Sequence, residues 1–160
     1  MARMIVPDIN LLIYAYDSSS PFHLKAVSWW QACLAGEEPV ILPEAVVFGF
    51  LRVSTNPRAF HHPLDTAEAV AHVRSWLQQE AVTIPETMPD HFERVFSLLE
   101  GLGTAGNLVT DAQIAATAIA QDAVVHTADA DFLRFKGLRW LNPLADEPTR
   151  ARRARRARRV

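Results

Sequence analysis

Met4-Ile5-Val6-Pro7-Asp8-Ile9-Asn10 is a short apolar run that stops at a carboxylate, with an amide two residues further on. Continued as Leu11-Leu12-Ile13-Tyr14-Ala15-Tyr16, it reads as a buried strand over 4–7 turning at once into a helix over 9–16 that is apolar nearly all round. A carboxylate at such a junction is costly unless donors or a cation meet it. Asp8 is therefore either the N-cap of the helix or one ligand of a cation site, and this stretch alone does not choose between them.

The same pattern recurs down the chain. Pro39-Val40-Ile41-Leu42 is a second apolar run, ending at Pro43-Glu44 before a helix over 45–53, and Ala123-Val124-Val125-His126-Thr127 is another, ending at Ala128-Asp129-Ala130-Asp131-Phe132. Between them the periodicity predicts a helix from about Pro21 to Gly36, with a serine cap and proline in its first turn. A helix opened by Asp65-Thr66 shows Val70, Val73 and Leu77 on one face. Next come a strand over 81–84 and a helix from Pro89-Asp90, with Phe92, Val95, Phe96 and Leu99 facing inward until Gly101 and Gly103 end it. Asn107 caps an alanine-rich helix running to Ala120, with Asp111 in or near its first turn, where the helix dipole favours an anion. A short helix after Asp131 and a strand over 138–141 complete the series. Strands alternating with helices predict an α/β fold, a three-layer α/β/α sandwich around a central, mainly parallel sheet.

Composition narrows the classes. The 160 residues, about half apolar, suit one core. No apolar run is long enough to span a membrane and no signal peptide opens the chain, so a cytoplasmic protein is expected. The single Cys33 has no partner for a disulfide or a zinc site and reads as core packing. Trp29 and Trp30 cannot share a helical face, so one meets either a partner surface or a second neighbour in the core. His61-His62 reads as loop polarity or a phosphate contact rather than a metal site, for want of a third ligand. Residues 1–149 carry nine basic residues against eighteen acidic ones, a formal charge of −9, while the last eleven positions carry seven arginines. The expected organisation is a folded domain over 1–146 followed by a disordered Arg-rich tail over 147–160. An acidic body repels phosphates unless metal ions intervene.

In a parallel α/β sheet the ligand crevice lies outside the carboxyl ends of the strands. Asp8, Glu44 and Asp129 would converge there, and Asp111 would join them from its helix. Four such carboxylates repel one another by several kcal/mol unless cations are bound. Oxygen-only ligands favour Mg²⁺ or Mn²⁺ over zinc, and a pocket of this kind suits phosphodiester hydrolysis. Asn10 and Thr127 are placed to hydrogen-bond and orient these acids. Asp131 is either a further ligand through water or, by preference, a cap for the turn at Phe132.

These residues are also where the chain resembles a known family. Asp-x-Asn after the first strand (Asp8, Asn10), Pro-Glu after the second (Glu44), Gly106-Asn107-Leu108-Val109-Thr110-Asp111, Thr127-x-Asp129-x-Asp131-Phe132 and the closing Gly137-Leu138-Arg139-Trp140-Leu141-Asn142-Pro143 resemble the PIN-domain ribonucleases, and among them the VapC toxins. The resemblance spans about residues 4–144. It implies the toxin of a type II toxin–antitoxin system: a magnesium-dependent RNA endonuclease, homodimeric, held off by a VapB-type antitoxin that threads a segment into the acidic groove. The family's acids fall on Asp8, Glu44, Asp111 and Asp129. Two rivals are a metal-dependent phosphatase of the haloacid-dehalogenase type and a catalytically silent antitoxin-binding protein. The first expects an acid at position 10, where Asn10 stands, and a pocket lysine; the second leaves the acid set without a purpose.

Overall fold

Strands β1 (Ile5–Pro7), β2 (Val40–Ile41), β3 (Val82–Thr83), β4 (Val124–His126) and β5 (Arg139–Leu141) pair in the order β3-β2-β1-β4-β5, every neighbouring pair parallel. The structure, a computed structural model, describes residues 3–146; the Arg-rich segment expected as a tail lies outside the described residues. Successive residues of a strand point to opposite faces of its sheet. Ile5 and Val6, Val40 and Ile41, and Val124 and Val125 are all buried, so both faces of the sheet are covered, which is the physical content of a three-layer fold. Six helices supply the covering layers: α1 (Ile9–Tyr16), α2 (His23–Ala35), α3 (Glu44–Ser54), α4 (Thr66–Leu77), α5 (His91–Glu100) and α6 (Leu108–Ala120). Among the described residues no helix is long and apolar enough to cross a membrane.

Helix α1 is as buried as its composition predicts, with Ile9, Leu11, Leu12, Ile13 and Ala15 all inside. Helix α2 starts later than expected, because the Ser20 hydroxyl accepts the Phe22 amide at 3.1 Å and spends itself on the turn before the helix. Pro21 therefore precedes the helix instead of opening it. The adjacent tryptophans do divide: Trp30 is 3 % exposed, while half-buried Trp29 donates its Nε1–H to His126 Nδ1 at 3.0 Å. Cys33 is in the core.

Two helix faces differ from their periodicity. On α4, Asp65 caps as expected, accepting the Ala67 amide at 2.6 Å, but the buried face is Ala69, Val73 and Trp76, and Leu77 is exposed. The large indole decides the rotation. Its ring lies 4.7 Å from Phe50, 5.4 Å from Trp30 and 5.7 Å from Tyr16, and its Nε1–H reaches the Tyr16 hydroxyl at 2.7 Å. On α5 only Val95 is buried; Phe92 is 69 % and Phe96 47 % exposed, so the inward-facing stripe expected there is largely on the surface. This helix follows β3, the edge strand, and packs chiefly on α6, so among the described residues one side of its apolar stripe has no neighbour.

Candidate metal centre

Strands β2 and β4 flank β1 on opposite sides, so the chain leaving β1 toward β2 and the chain leaving β4 toward β5 diverge and open a crevice at the carboxyl edge of the sheet. Pro7 stands in register with His126, and the Asp8 amide donates to the His126 carbonyl at 2.9 Å. Asp8 and Thr127 are thereby the first residues past the edge of two adjacent strands.

Asp8 is 2 % exposed. It occupies the N-cap position of α1, yet its side chain makes no capping hydrogen bond; its partner is Thr127, whose Oγ1 donates to Asp8 Oδ2 at 2.9 Å. Burial pushes the Asp8 carboxyl up to about 6, against the opposing effects of the Thr127 hydroxyl and the Ile9 and Asn10 amides and with the help of the Asp129 charge. Asn10 thus acts on Asp8 through its backbone, and its side chain is exposed.

The same Thr127 oxygen accepts the Asp129 amide at 2.9 Å, and Asp129 Oδ1 in turn accepts the Asp131 amide at 2.9 Å. These bonds fold residues 127–131 into a hook. Asp129, not Asp131, caps the short 3-10 helix over Ala130–Arg134, which corrects the preference for Asp131 as the cap. Freed from that duty, Asp131 presents a carboxylate oxygen within 4.8 Å of oxygens that Asp111 and Asp129 can offer. Asp111, in the first turn of α6, is raised to about 7, by burial first and then by the charges of Asp8, Asp129 and Asp131. Four carboxylates therefore feel one another.

Glu44 stands differently. It opens α3 at the end of β2, exposed, on the wall of a cleft it shares with Met88, Phe92, Gln113 and Thr117. The carboxylates that raise Asp111 do not include it. His61 and His62 pack ring to ring at 4.6 Å, exposed on the loop between α3 and α4, and neither joins the acid group. His126, at the end of β4, is held neutral by burial, its pKa lowered to about 4, and its Nδ1 is committed to Trp29. Tyr14, which the apolar pattern assigns only to a buried helix, is half-buried and sits in the fields of Asp8 and Asp129, which add to burial in raising its pKa. Its spacing of four residues from Asn10 is the sequence signal that marks it.

Whether these residues suit a cation is decided by their charge balance. Among the described residues the ion pair made by the acid group is that of Asp131 with Arg134, at 3.6 Å and largely in solvent. Among the described residues Asp8, Asp111 and Asp129 have no such partner, and Asp8 and Asp111 are raised first by burial and then by neighbouring carboxylates. Hard oxygen donors lacking counter-charge fit a divalent cation of the magnesium or manganese kind.

The sequence matches the PIN domain over residues 5–138. It is 45 % identical over 143 residues to ribonuclease VapC33 of Mycobacterium tuberculosis, spanning 89 % of this chain and 100 % of that protein. It is 32 % identical over 142 residues to ribonuclease VapC37 of the same organism, spanning 89 % and 99 %. The fold is similar to that of Mycobacterium tuberculosis VapC20, a sarcin-ricin loop cleaving toxin, with a TM-score of 0.62 and 19 % identity over 84 % of this chain and 98 % of that one. It is similar also to VapBC2 from Rickettsia felis bound to a DNA fragment from its promoter, with a TM-score of 0.60 and 19 % identity over 86 % and 96 %.

Proposed function

The chain belongs to the PIN-domain family, and on that footing we propose that it is the toxin of a type II toxin–antitoxin pair, an endoribonuclease that depends on a divalent metal and is held off by a VapB-type antitoxin. The observation that carries this reading is the group of Asp8, Asp111, Asp129 and Asp131 at the switch point of the sheet, mutually repelling and short of counter-charge. Its relatives at 45 % and 32 % identity are named ribonucleases, and the structural neighbour from Rickettsia felis is a toxin–antitoxin complex.

Mg²⁺ is the proposed cofactor, with Mn²⁺ as a substitute, held by Asp8, Asp111 and Asp129, with Glu44 at the rim of the same sheet edge. Bound there, such an ion supplies a water of lowered pKa and stabilises charge on the phosphodiester oxygens. The chain's own residues do the rest. Thr127 fixes the Asp8 carboxylate and, through the Asp129 amide, the start of the hook. Asp131 holds Asp129 from behind by its backbone, and the wall of buried apolar side chains under Asp8 keeps bulk water from its inner oxygen. Asp111 must shed the proton that its neighbours favour, so occupancy of the site strengthens as pH rises. Asn10, exposed at the head of α1, is placed to meet substrate beside Asp8.

The test is cleavage of total RNA by the purified chain with Mg²⁺, with EDTA, and as an Asp8→Asn variant. Cleavage is expected only from the wild type with metal. Equal cutting by the variant, or by the EDTA-treated wild type, contradicts the reading.

A further inference from the structure

Among the described residues helix α1 is covered on every side but one. Ile9, Leu11, Leu12, Ile13 and Ala15 are buried, and Tyr16 is engaged by Trp76, Phe50 and His72. What remains open is Asn10 and, one turn along the same face, Tyr14. A helical turn advances about 5.4 Å, so the tyrosine ring lies a short step from the edge where Asp8 begins the acid group. Burial first, and then the charges of Asp8 and Asp129, raise its pKa, so those charges reach it.

Tyr14 is not alone. The Phe22 ring leans against it, centroids 5.2 Å apart and planes inclined by 41°, and Phe22 is 46 % exposed. The backbone beneath both residues is pinned. His23 Nδ1 is 2.9 Å from the Tyr14 carbonyl, and the turn into α2 is tied by Ser19 and its hydroxyl to Asp17 and by the Phe22 amide to Ser20. An aromatic pair, half-buried at Tyr14 and exposed at Phe22, thus lies about one turn from the acid group.

The charge of the molecule says what kind of contact they can make. Residues 1–149 carry a formal charge of −9 and the last eleven positions seven arginines, for −2 over the whole chain, so the body by itself offers no attraction to a nucleic acid approaching this edge. Stacking of a base on an aromatic ring is indifferent to that charge, tolerant of sequence and worth about ten-fold or more in affinity per base.

Resting on the ribonuclease reading above, we propose that Tyr14 and Phe22 form a stacking subsite that takes one nucleobase of single-stranded RNA, next to the phosphodiester presented to the acid group. The subsite sets which strand conformation is cut: the base beside the scissile bond must be unstacked from its neighbour and laid on the ring pair. Duplex RNA, whose bases stay stacked on each other, is refused.

The experiment uses the full chain and a 5′-labelled oligoribonucleotide spanning a bond that the wild type cuts in total RNA, in an intact form and in a series with one abasic ribonucleotide moved along it. For the wild type, one abasic position beside the cut is expected to raise KM about ten-fold while kcat changes little. Tyr14→Ala and Phe22→Ala are expected to raise KM for the intact strand by a similar factor and to be indifferent to the abasic position; Tyr14→Phe keeps the wild-type pattern. Thermal melts confirm that each variant is folded, and exposed Phe22 serves where Tyr14→Ala is not. An abasic penalty that persists undiminished in both alanine variants overturns the subsite. So does an unchanged KM in variants that have lost only their hold on a co-expressed VapB-type antitoxin, which assigns the rings to that partner. A wild type that cuts no RNA at all defeats the ribonuclease reading itself, a different result from either.

Discussion

At the scale of single residues, Thr127 is the most consequential side chain that is not an acid. It is wholly buried, and its one hydroxyl works twice, giving its proton to Asp8 and taking the Asp129 amide. Thr127→Val keeps the shape and removes both bonds, leaving a buried carboxylate without its donor at a cost of about 1–3 kcal/mol. A lower Tm and roughly 10–100-fold less cleavage are expected, with Thr127→Ser close to wild type; full activity in the valine variant would show that the hydroxyl positions nothing. The acids themselves make a pH prediction. Asp8 near 6 and Asp111 near 7 both lie above 3.8, the ordinary value. In the metal-free chain the folded state keeps protons that the unfolded state has lost, so these groups favour folding fully at the acid end of that window and cease to do so as pH rises through about 7. His126, lowered to about 4, works in the opposite sense between that pH and 6.5, so the clean measurement is a difference between variants. In EDTA, Asp111→Asn should raise Tm over wild type by more at pH 8 than at pH 5, and Mg²⁺ should raise Tm in wild type and not in the variant. A difference that does not change with pH would mean that Asp111 titrates normally.

At the scale of elements, helices were legible wherever an apolar run was long and well punctuated, and their inward faces were legible only where every neighbour was present. Helix α1 matches its sequence span, Ile9–Tyr16, since a helix apolar all round has no face to misjudge. In α4 the heptad-like spacing of Val70, Val73 and Leu77 loses to one indole, Trp76, which buries more area and finds Tyr16 for its N–H. The contact of α1 with α3 depends on a feature that periodicity does not show: a Cβ added at Gly49 would meet the end of the Ile9 side chain and stand 3.0 Å from Ile9 Cγ1. Gly49→Ala gains about 1 kcal/mol in helix propensity and loses about 1–3 kcal/mol to overpacking, so a modest net drop in stability is expected. Ile9→Val removes the offending methyl, and the double variant should be more stable than the sum of the two single changes; strict additivity in denaturant unfolding would mean that the two helices do not press on each other there.

At the scale of the whole molecule, the exposed Ile84, Met88, Phe92 and Phe96 gather beyond the edge strand and along α5, at 62, 49, 69 and 47 % exposure. The homodimer implied by the family resemblance has these side chains to bury. Met88 and Phe92 also line the cleft that Glu44 lines, so a second copy seated there would close over Glu44. The expected outcome is a dimer for the wild type in sedimentation velocity and a monomer for the double variant Phe92→Glu, Phe96→Glu. A monomeric wild type, or a dimer that survives both charges, places the apolar face elsewhere in the protein's business.

What the sequence determined by itself was the alternation of strand and helix, the residue types at each strand end and the family, because those depend on local periodicity, on the cost of an acid after an apolar run and on motif order. The preference for a metal over a cap at Asp8 also came from counting acids, although no single stretch carried it. Only the tertiary structure decided which acids share a field. Asp131 joins Asp111 and Asp129 because Asp129 takes over the capping of the hook, while Glu44 stays exposed on a cleft wall. Tyr14 emerged in the same way: its apolar surroundings in sequence hide that α1 has one open side, and which side is open depends on α2, α3 and the sheet packing around it. Local sequence sets which groups are available; burial and electrostatic coupling depend on distances between segments more than a hundred residues apart, such as Asp8 and Thr127, and only the folded chain sets those.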